Sequence, residues 1–313
     1  MCNALQDGLP ICRKPYADLA EFLGSDEKTV LQETMQLKEA GIIRWICMLI
    51  NHRALGMTGT LAAAHIPEEN LQEITEAINS LENVSHNYLR KHYCNLWFTL
   101  QAESAEQIEA VISNLSERFG IDFYSLPVKR VFKLDVRFDA EGEGQLGDTT
   151  RIPTNEAAEL NEVEKQILSK LGNDLEVISE PFGFLCDEGL EIEDVLRIIQ
   201  GLIDKGVIRR IAAIVNHHKL GFTANVLFCS RVSESKIVEA GKALARFGAV
   251  SHCYERETIK DWPYNLYAMM HGRSMGEIQH LINKFTESER IDSFELLPTA
   301  MELKKKHIKH RFR

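Results

Sequence analysis

Several features are missing from this sequence, and each absence excludes a class of protein. No run approaches the roughly 18 apolar residues of a membrane-spanning helix, and the opening residues MCNALQDGLPICRKPY lack the apolar core of a secretory signal. The seven cysteines (Cys2, Cys12, Cys47, Cys94, Cys186, Cys229 and Cys253) are odd in number and form no C-x-x-C pair, which argues against a disulfide framework and against the common zinc and dithiol motifs. A reducing cytoplasm with free thiols is the expected setting. Excess positive charge is also lacking. There are 36 Lys and Arg against 46 Asp and Glu, a net charge of −10, whereas affinity for a nucleic-acid duplex comes chiefly from neutralising phosphates. No glycine-rich phosphate loop or nucleophile elbow occurs, and no paired metal motif.

The sequence does contain a second copy of itself. Residues 43–57, IRWICMLINHRALGM, and residues 208–222, IRRIAAIVNHHKLGF, are identical at seven of fifteen positions. Three further blocks follow in the same order: VSHNY at 84–88 with VSHCY at 250–254, Asn95-Leu96-Trp97 with Asn265-Leu266-Tyr267, and Leu126-Pro127 with Leu297-Pro298. Four blocks in one order define a tandem duplication. Between the copies, DAEGEGQLGDTTRIP at 139–153 has the glycine-rich, acidic composition of a linker.

Each copy divides again. Residues 17–41 read as a short helix, a glycine-containing turn and a longer helix ending at Gly41, and EIEDVLRIIQGLIDKG repeats the longer helix up to Gly206. Helices followed at once by an apolar strand predict a winged helix. Strands are predicted near 43–50, 57–65, 84–91, 95–102 and 122–134. Two helices separate them, with stripes at Leu71, Ile74, Ile78 and Leu81 and at Ile108, Val111, Ile112, Leu115 and Phe119. The pattern after the winged helix is a ferredoxin-like βαββαβ unit, an α+β fold class overall. The expected boundaries are 1–42 (winged helix, its first helix missing or truncated), 43–138 (ferredoxin-like), 139–154 (linker), 155–207 (winged helix) and 208–313 (ferredoxin-like). The two ferredoxin-like halves are expected to pair face to face. A homodimer of the whole chain stays open.

A recognition helix should be basic, and these are not. Residues 27–40 carry three glutamates against two lysines, and residues 191–205 carry four acids against two bases, so specific DNA binding is not expected. The histidines carry more information. Alternation along a strand puts His86, Tyr88, Arg90 and His92 on one face, and likewise His252, Tyr254 and Arg256, with Lys260 beyond. Such a face suits an anionic, aromatic ligand. Tyr93, Trp97 and Phe98 in the first copy, with Trp262, Tyr264 and Tyr267 in the second, could sandwich a flat ring bearing carboxylates. His217-His218 has no partners at zinc-like spacing, so no metal site of the protein's own is expected. One imidazole could still reach the iron of a bound macrocycle.

With these blocks in hand, the chain resembles the leucine-responsive/AsnC regulator family and, within it, the enzymatic branch of siroheme decarboxylases. VSHNYLRKHYCNLWFTLQ at 84–101, with RKPYADLAEFLG at 13–24 and VFKLDVRFD at 131–139, resembles the A-type subunit. VSHCYERETIKDWPYNLYAMMHG at 250–272 resembles the B-type subunit. The resemblance implies non-oxidative loss of two CO2 from siroheme, giving 12,18-didecarboxysiroheme on a route to heme or heme d1. It implies no cofactor beyond the iron tetrapyrrole substrate, and leaves a bound heme open. It makes His252, His86, Tyr254 and Tyr88 the catalytic candidates. The substrate-binding candidates are Arg256, Arg90, His92, Trp97, Asn95, Trp262, Tyr264, Asn265, Tyr267, His217, His218, Arg209 and Arg210, with His217 or His218 as the candidate iron ligand. The same scaffold would also serve a transcription regulator that senses heme or an amino acid.

Overall fold

A computed structural model describes residues 1–140, 156–187, 189–259 and 261–305. The first copy runs α1 (Cys2–Asp7), α2 (Pro15–Leu23), α3 (Glu27–Glu39), β1 (Ile43–Ile50), β2 (Thr58–Ala64), α4 (Leu71–Ser80), β3 (Val84–Arg90), β4 (Leu96–Ala102), α5 (Ala105–Phe119) and β5 (Phe123–Leu134). The second runs α6 (Glu162–Leu171), α7 (Ile192–Asp204), β6 (Ile208–Val215), β7 (Ala224–Ser230), α8 (Ile237–Ala245), β8 (Val250–Arg256), β9 (Leu266–Gly272), α9 (Met275–Glu289) and β10 (Phe294–Lys305). The element boundaries follow local chemistry. Ser104 and Ser274 accept the Gln107 and Glu277 amides and start α5 and α9, and Gly120 at φ 64° ends α5.

The chain forms two units, each assembled from both copies. The first comprises Met1–Gly56 and Arg137–Gly221. Its only sheet among the described residues is the antiparallel pair β1–β6, in register at Ile46↔Ala213 and Met48↔Ile211. This moves the unit boundary from that expected. Residues 43–50 and 208–215 go with the helices, because their backbone groups are satisfied by each other. The first helix of the first copy is short: α1 has six residues and buries Leu5, and Gln6 both donates to the Phe138 carbonyl and accepts from the Phe138 amide, each at 2.8 Å. In the second copy α6 begins at Glu162 because Asn161 and Glu164 form a capping box. At the sequence position of α2, the described residues of the second copy hold a 3₁₀ turn at Gly183–Leu185; glycine there is a poor helix former. Most of the expected linker lies outside the described residues.

The second unit, Met57–Val136 with residues 222–305, is a closed barrel ordered β10-β3-β4-β2-β5-β8-β9-β7. The two halves therefore join edge to edge rather than face to face. β5 pairs with β2 up to Pro127 and then with β8 from Val128. β10 pairs with β7 up to Pro298 and then with β3 from Thr299. Both are 12 residues long, against 7 in the strands beside them, and the overhang supplies the edge bonds the other half lacks. The repeated Leu-Pro block marks the two points where a strand changes partner.

Three clusters make up the core of this unit. Two lie between the sheet and the helices, under α4 and α5 and under α8 and α9. The third fills the barrel with Ala63, Trp97, Leu126, Leu227, Cys229, Trp262, Tyr267 and Leu297. The overhangs lock the halves together. Phe132 inserts into the cluster under α8 directly over Gly241, contributing about 1.5–3 kcal/mol by its burial. Lys304 Nζ donates to the Asn79 and Leu81 carbonyls at 2.8 and 2.7 Å at the end of α4, and Lys133 Nζ donates to Phe247 O at 3.1 Å just beyond α8. A cation at a helix C-terminus satisfies orphan carbonyls and suits the dipole.

Candidate functional site

The repeated V-S-H blocks open β3 and β8, and each carries a break in strand register, between Val84 and Asn87 and between Val250 and His252. A bulge of this kind re-aims side chains that strict alternation would send to opposite faces. Here it brings each serine to the ring of the next residue. Ser85 Oγ lies 2.8 Å from His86 Nδ1, and Ser251 Oγ lies 2.9 Å from His252 Nδ1. Beyond the bulge alternation resumes and gives two matching rows. His86 and Tyr88 have ring centroids 6.1 Å apart and the Arg90 guanidinium sits 5.3 Å over Tyr88. In the second half, His252 and Tyr254 are 6.0 Å apart and Arg256 sits 5.0 Å over Tyr254.

Each arginine also reaches across to the other half. Arg90 Nη1 donates to Leu297 O at 2.9 Å and to Thr299 Oγ1 at 3.1 Å, and Arg256 Nη1 donates to Leu126 O at 2.7 Å. The two Leu-Pro carbonyls are thus each held by a buried guanidinium. Both arginines influence the enclosed Cys229 thiol, which burial drives well above its ordinary value. Burial pulls Arg90 down to about 10, so it stays cationic near neutrality. Its Nε finds no hydrogen-bond partner among the described residues. His86 is held low, at about 4, first by burial and then by Lys305. That favours the neutral imidazole at pH 7.

The structure redistributes the remaining candidates. His92 lies past the end of β3; its Nδ1 accepts the Cys94 amide at 3.0 Å and its ring meets Trp262 edge-on at 5.4 Å. Trp97 and Tyr267 are 1% exposed and belong to the barrel core. Trp97 Nε1 donates to Cys94 O, Trp262 Nε1 donates to Tyr267 Oη at 2.7 Å, and Tyr267 Oη donates to Tyr264 O. With Trp262 and Tyr264, these rings form a plug whose polar atoms are satisfied from within, instead of an open sandwich. Tyr93 is exposed and stacks on His65, and Phe98 is core. Asn95 bonds both backbone groups of Ile66, and Asn265 does the same at Val232, which assigns them to bracing the strand ends. His217, His218, Arg209 and Arg210 lie in the helical unit. His217 is buried between Phe138 at 5.1 Å and His218 at 4.1 Å, while His218 is exposed. Lys260 lies outside the described residues. No cluster of three or more His, Cys, Asp or Glu that could hold a metal ion occurs among the described residues.

Residues 54–133 and 219–304 match the family model of the AsnC-like ligand binding domain, and residues 2–44 match that of the siroheme decarboxylase NirDL-like HTH domain. The siroheme decarboxylase of Hydrogenobacter thermophilus is 33% identical over 310 residues, which are 98% of this chain and 92% of that one. The chain belongs to the siroheme decarboxylase family. The siroheme decarboxylase alpha subunit of Desulfovibrio desulfuricans is 34% identical over 143 residues, 46% of this chain and 83% of its own length. A crystal structure of the siroheme decarboxylase NirDL in co-complex with an iron-uroporphyrin III analogue is similar at a TM-score of 0.74 and 31% identity, covering 98% of this chain and 92% of that one.

For a siroheme decarboxylase, the residues that sequence reasoning passed over are the hydroxyls behind the histidines. Ser85 Oγ lies 2.8 Å from Thr99 Oγ1, and Ser251 Oγ lies 2.9 Å from His271 Nε2. The signal was present in the repeated serine of VSH. Adjacent strand residues ordinarily face apart, however, and only the bulge makes them partners.

Proposed function

We propose that this chain removes CO2 from the acetate side chains of siroheme, giving 12,18-didecarboxysiroheme, with one His-Tyr-Arg row contributed by each half. The observation that carries this reading is the repetition of that row, each on a bulged strand with a buried arginine at its end. Loss of CO2 leaves an electron pair on the methylene carbon, which must be protonated, and histidine suits that task. The guanidinium groups of Arg90 and Arg256, one at the end of each row, supply the positive charge that suits the carboxylates of the tetrapyrrole. An anionic substrate beside His86 would raise the proton affinity that burial has lowered. The chain's acidic winged-helix segments favour catalysis over regulation by DNA contact.

The test is anaerobic incubation of the purified chain with siroheme and weighing of the product. Loss of two CO2 is expected. An unchanged tetrapyrrole, together with tight sequence-specific DNA binding, would replace the enzyme by a regulator. His252→Ala is expected to lower turnover 10²–10⁴-fold, the typical range for a lost general acid, while binding survives. Wild-type turnover in His252→Ala and His86→Ala, singly and together, would return both residues to a purely structural role.

A further inference from the structure

The second half holds three side chains in a hydrogen-bonded row that the first half does not repeat. Ser251 Oγ stands 2.9 Å from His252 Nδ1, 2.9 Å from His271 Nε2 and 3.3 Å from the Met269 carbonyl oxygen. At the matching place in the first half Ser85 meets His86 and the Thr99 hydroxyl, and Gln101 occupies the position of His271. A hydroxyl between two imidazoles can donate to one ring while accepting from the other. Ser251 is 3% exposed and His271 8%, so the row lies buried in the barrel wall.

We propose that His271 is a positioning residue of the decarboxylation, returning through Ser251 the proton that His252 gives up. This rests on the reading of His252 as the proton donor. The bond between the acetate methylene and its carboxyl carbon breaks, CO2 leaves, and the electron pair stays on the methylene carbon. His252 gives its Nε2 proton to that carbon. The Ser251 hydroxyl proton passes to His252 Nδ1, and the His271 Nε2 proton replaces it on Ser251. For each turnover the His271 ring takes up one proton in place of the one it passes on, so one proton is consumed together with one carboxylate charge. Gln101 cannot titrate, so the first half has no such reservoir and the two halves replace their protons by different routes.

The full chain is assayed anaerobically with siroheme, with binding followed by absorbance and product by mass. His271→Gln installs the side chain that the first half already accommodates, and Ser251→Ala removes the hydroxyl. Each is expected to lower kcat by about tenfold or more, short of the 10²–10⁴-fold of a lost direct donor, with KM within about twofold of wild type. The solvent isotope effect on kcat should change in both variants, and Ser251→Thr should recover much of the rate. Wild-type kcat in His271→Gln, or a loss confined to KM, overturns the relay. Should Ser251→Ala lose its fold, the His271→Gln result decides alone. A wild-type chain that binds siroheme and releases no CO2 would instead overturn the decarboxylase reading, so the two failures are distinct.

Discussion

Burial beside Lys305 holds the His86 imidazole at about 4 in place of 6.5, a difference worth roughly 3 kcal/mol in favour of the neutral ring. The sign of its effect on stability follows. Above pH 6.5 the ring is neutral in both folded and unfolded chains and contributes nothing. As pH falls below that value the unfolded chain takes up the proton first, so stability is lost, and the loss is complete near pH 4. His86→Gln cannot titrate. The stability of wild type minus that of His86→Gln should therefore fall by about 3 kcal/mol between roughly pH 7 and pH 4, while the other histidines cancel in the difference. Urea unfolding at several pH values, with the slope m unchanged between the two proteins, measures it. A difference that stays flat within about 0.5 kcal/mol would refute the claim that burial dominates at this ring. An anionic tetrapyrrole should reverse the effect, and calorimetry in buffers of different ionisation enthalpy near pH 6 should detect proton uptake on binding.

Two further outcomes concern the junction between the halves. A Cβ at Gly241 would sit 2.3 Å from Phe132 Cε2, so Gly241→Ala should cost about 1–3 kcal/mol in chemical denaturation; Phe132→Leu in the same chain should recover part of it, and additive losses would argue against the contact. Lys304→Met removes two carbonyl bonds at the end of α4 and should cost about 1–2 kcal/mol; an absent loss in the melts would count against the capping role.

Much of this molecule could be read from its residues. The duplication was visible in Asn51-His52 and Asn216-His217, the helices in stripes such as Ile74 and Ile78, and the His-Tyr-Arg rows in simple alternation. The closure of the barrel was not. Its pairs, Leu134 with His252 and Lys305 with His86, join residues far apart in the chain, and nothing local shows that β5 and β10 outgrow their own sheets. The internal bonding of the aromatic set was hidden for a related reason. Trp97, Trp262 and Tyr267 have the composition of a ligand cage, yet their N–H and O–H groups find partners among themselves and in nearby carbonyls, which only the fold can show. Asn95 and Asn265 stand among the binding candidates that the resemblance implies. They repeat because each half must fasten the same strand end.

Phe132 over Gly241 makes the two halves unlike parts of a bump and a hole. At the corresponding positions of the repeat stand Leu303, packed on the first half's core, and Thr75 on α4. Two first halves closing on each other would set Phe132 against Thr75, with a side chain where the ring needs none. Two second halves would set Leu303 over Gly241 and leave a void. Both homotypic barrels are thus strained or hollow, and only the mixed one fills its volume. An ancestral self-pairing half could have been symmetric; once the overhangs diverged in size, each half became the other's obligatory complement, and covalent fusion keeps them at equal dose.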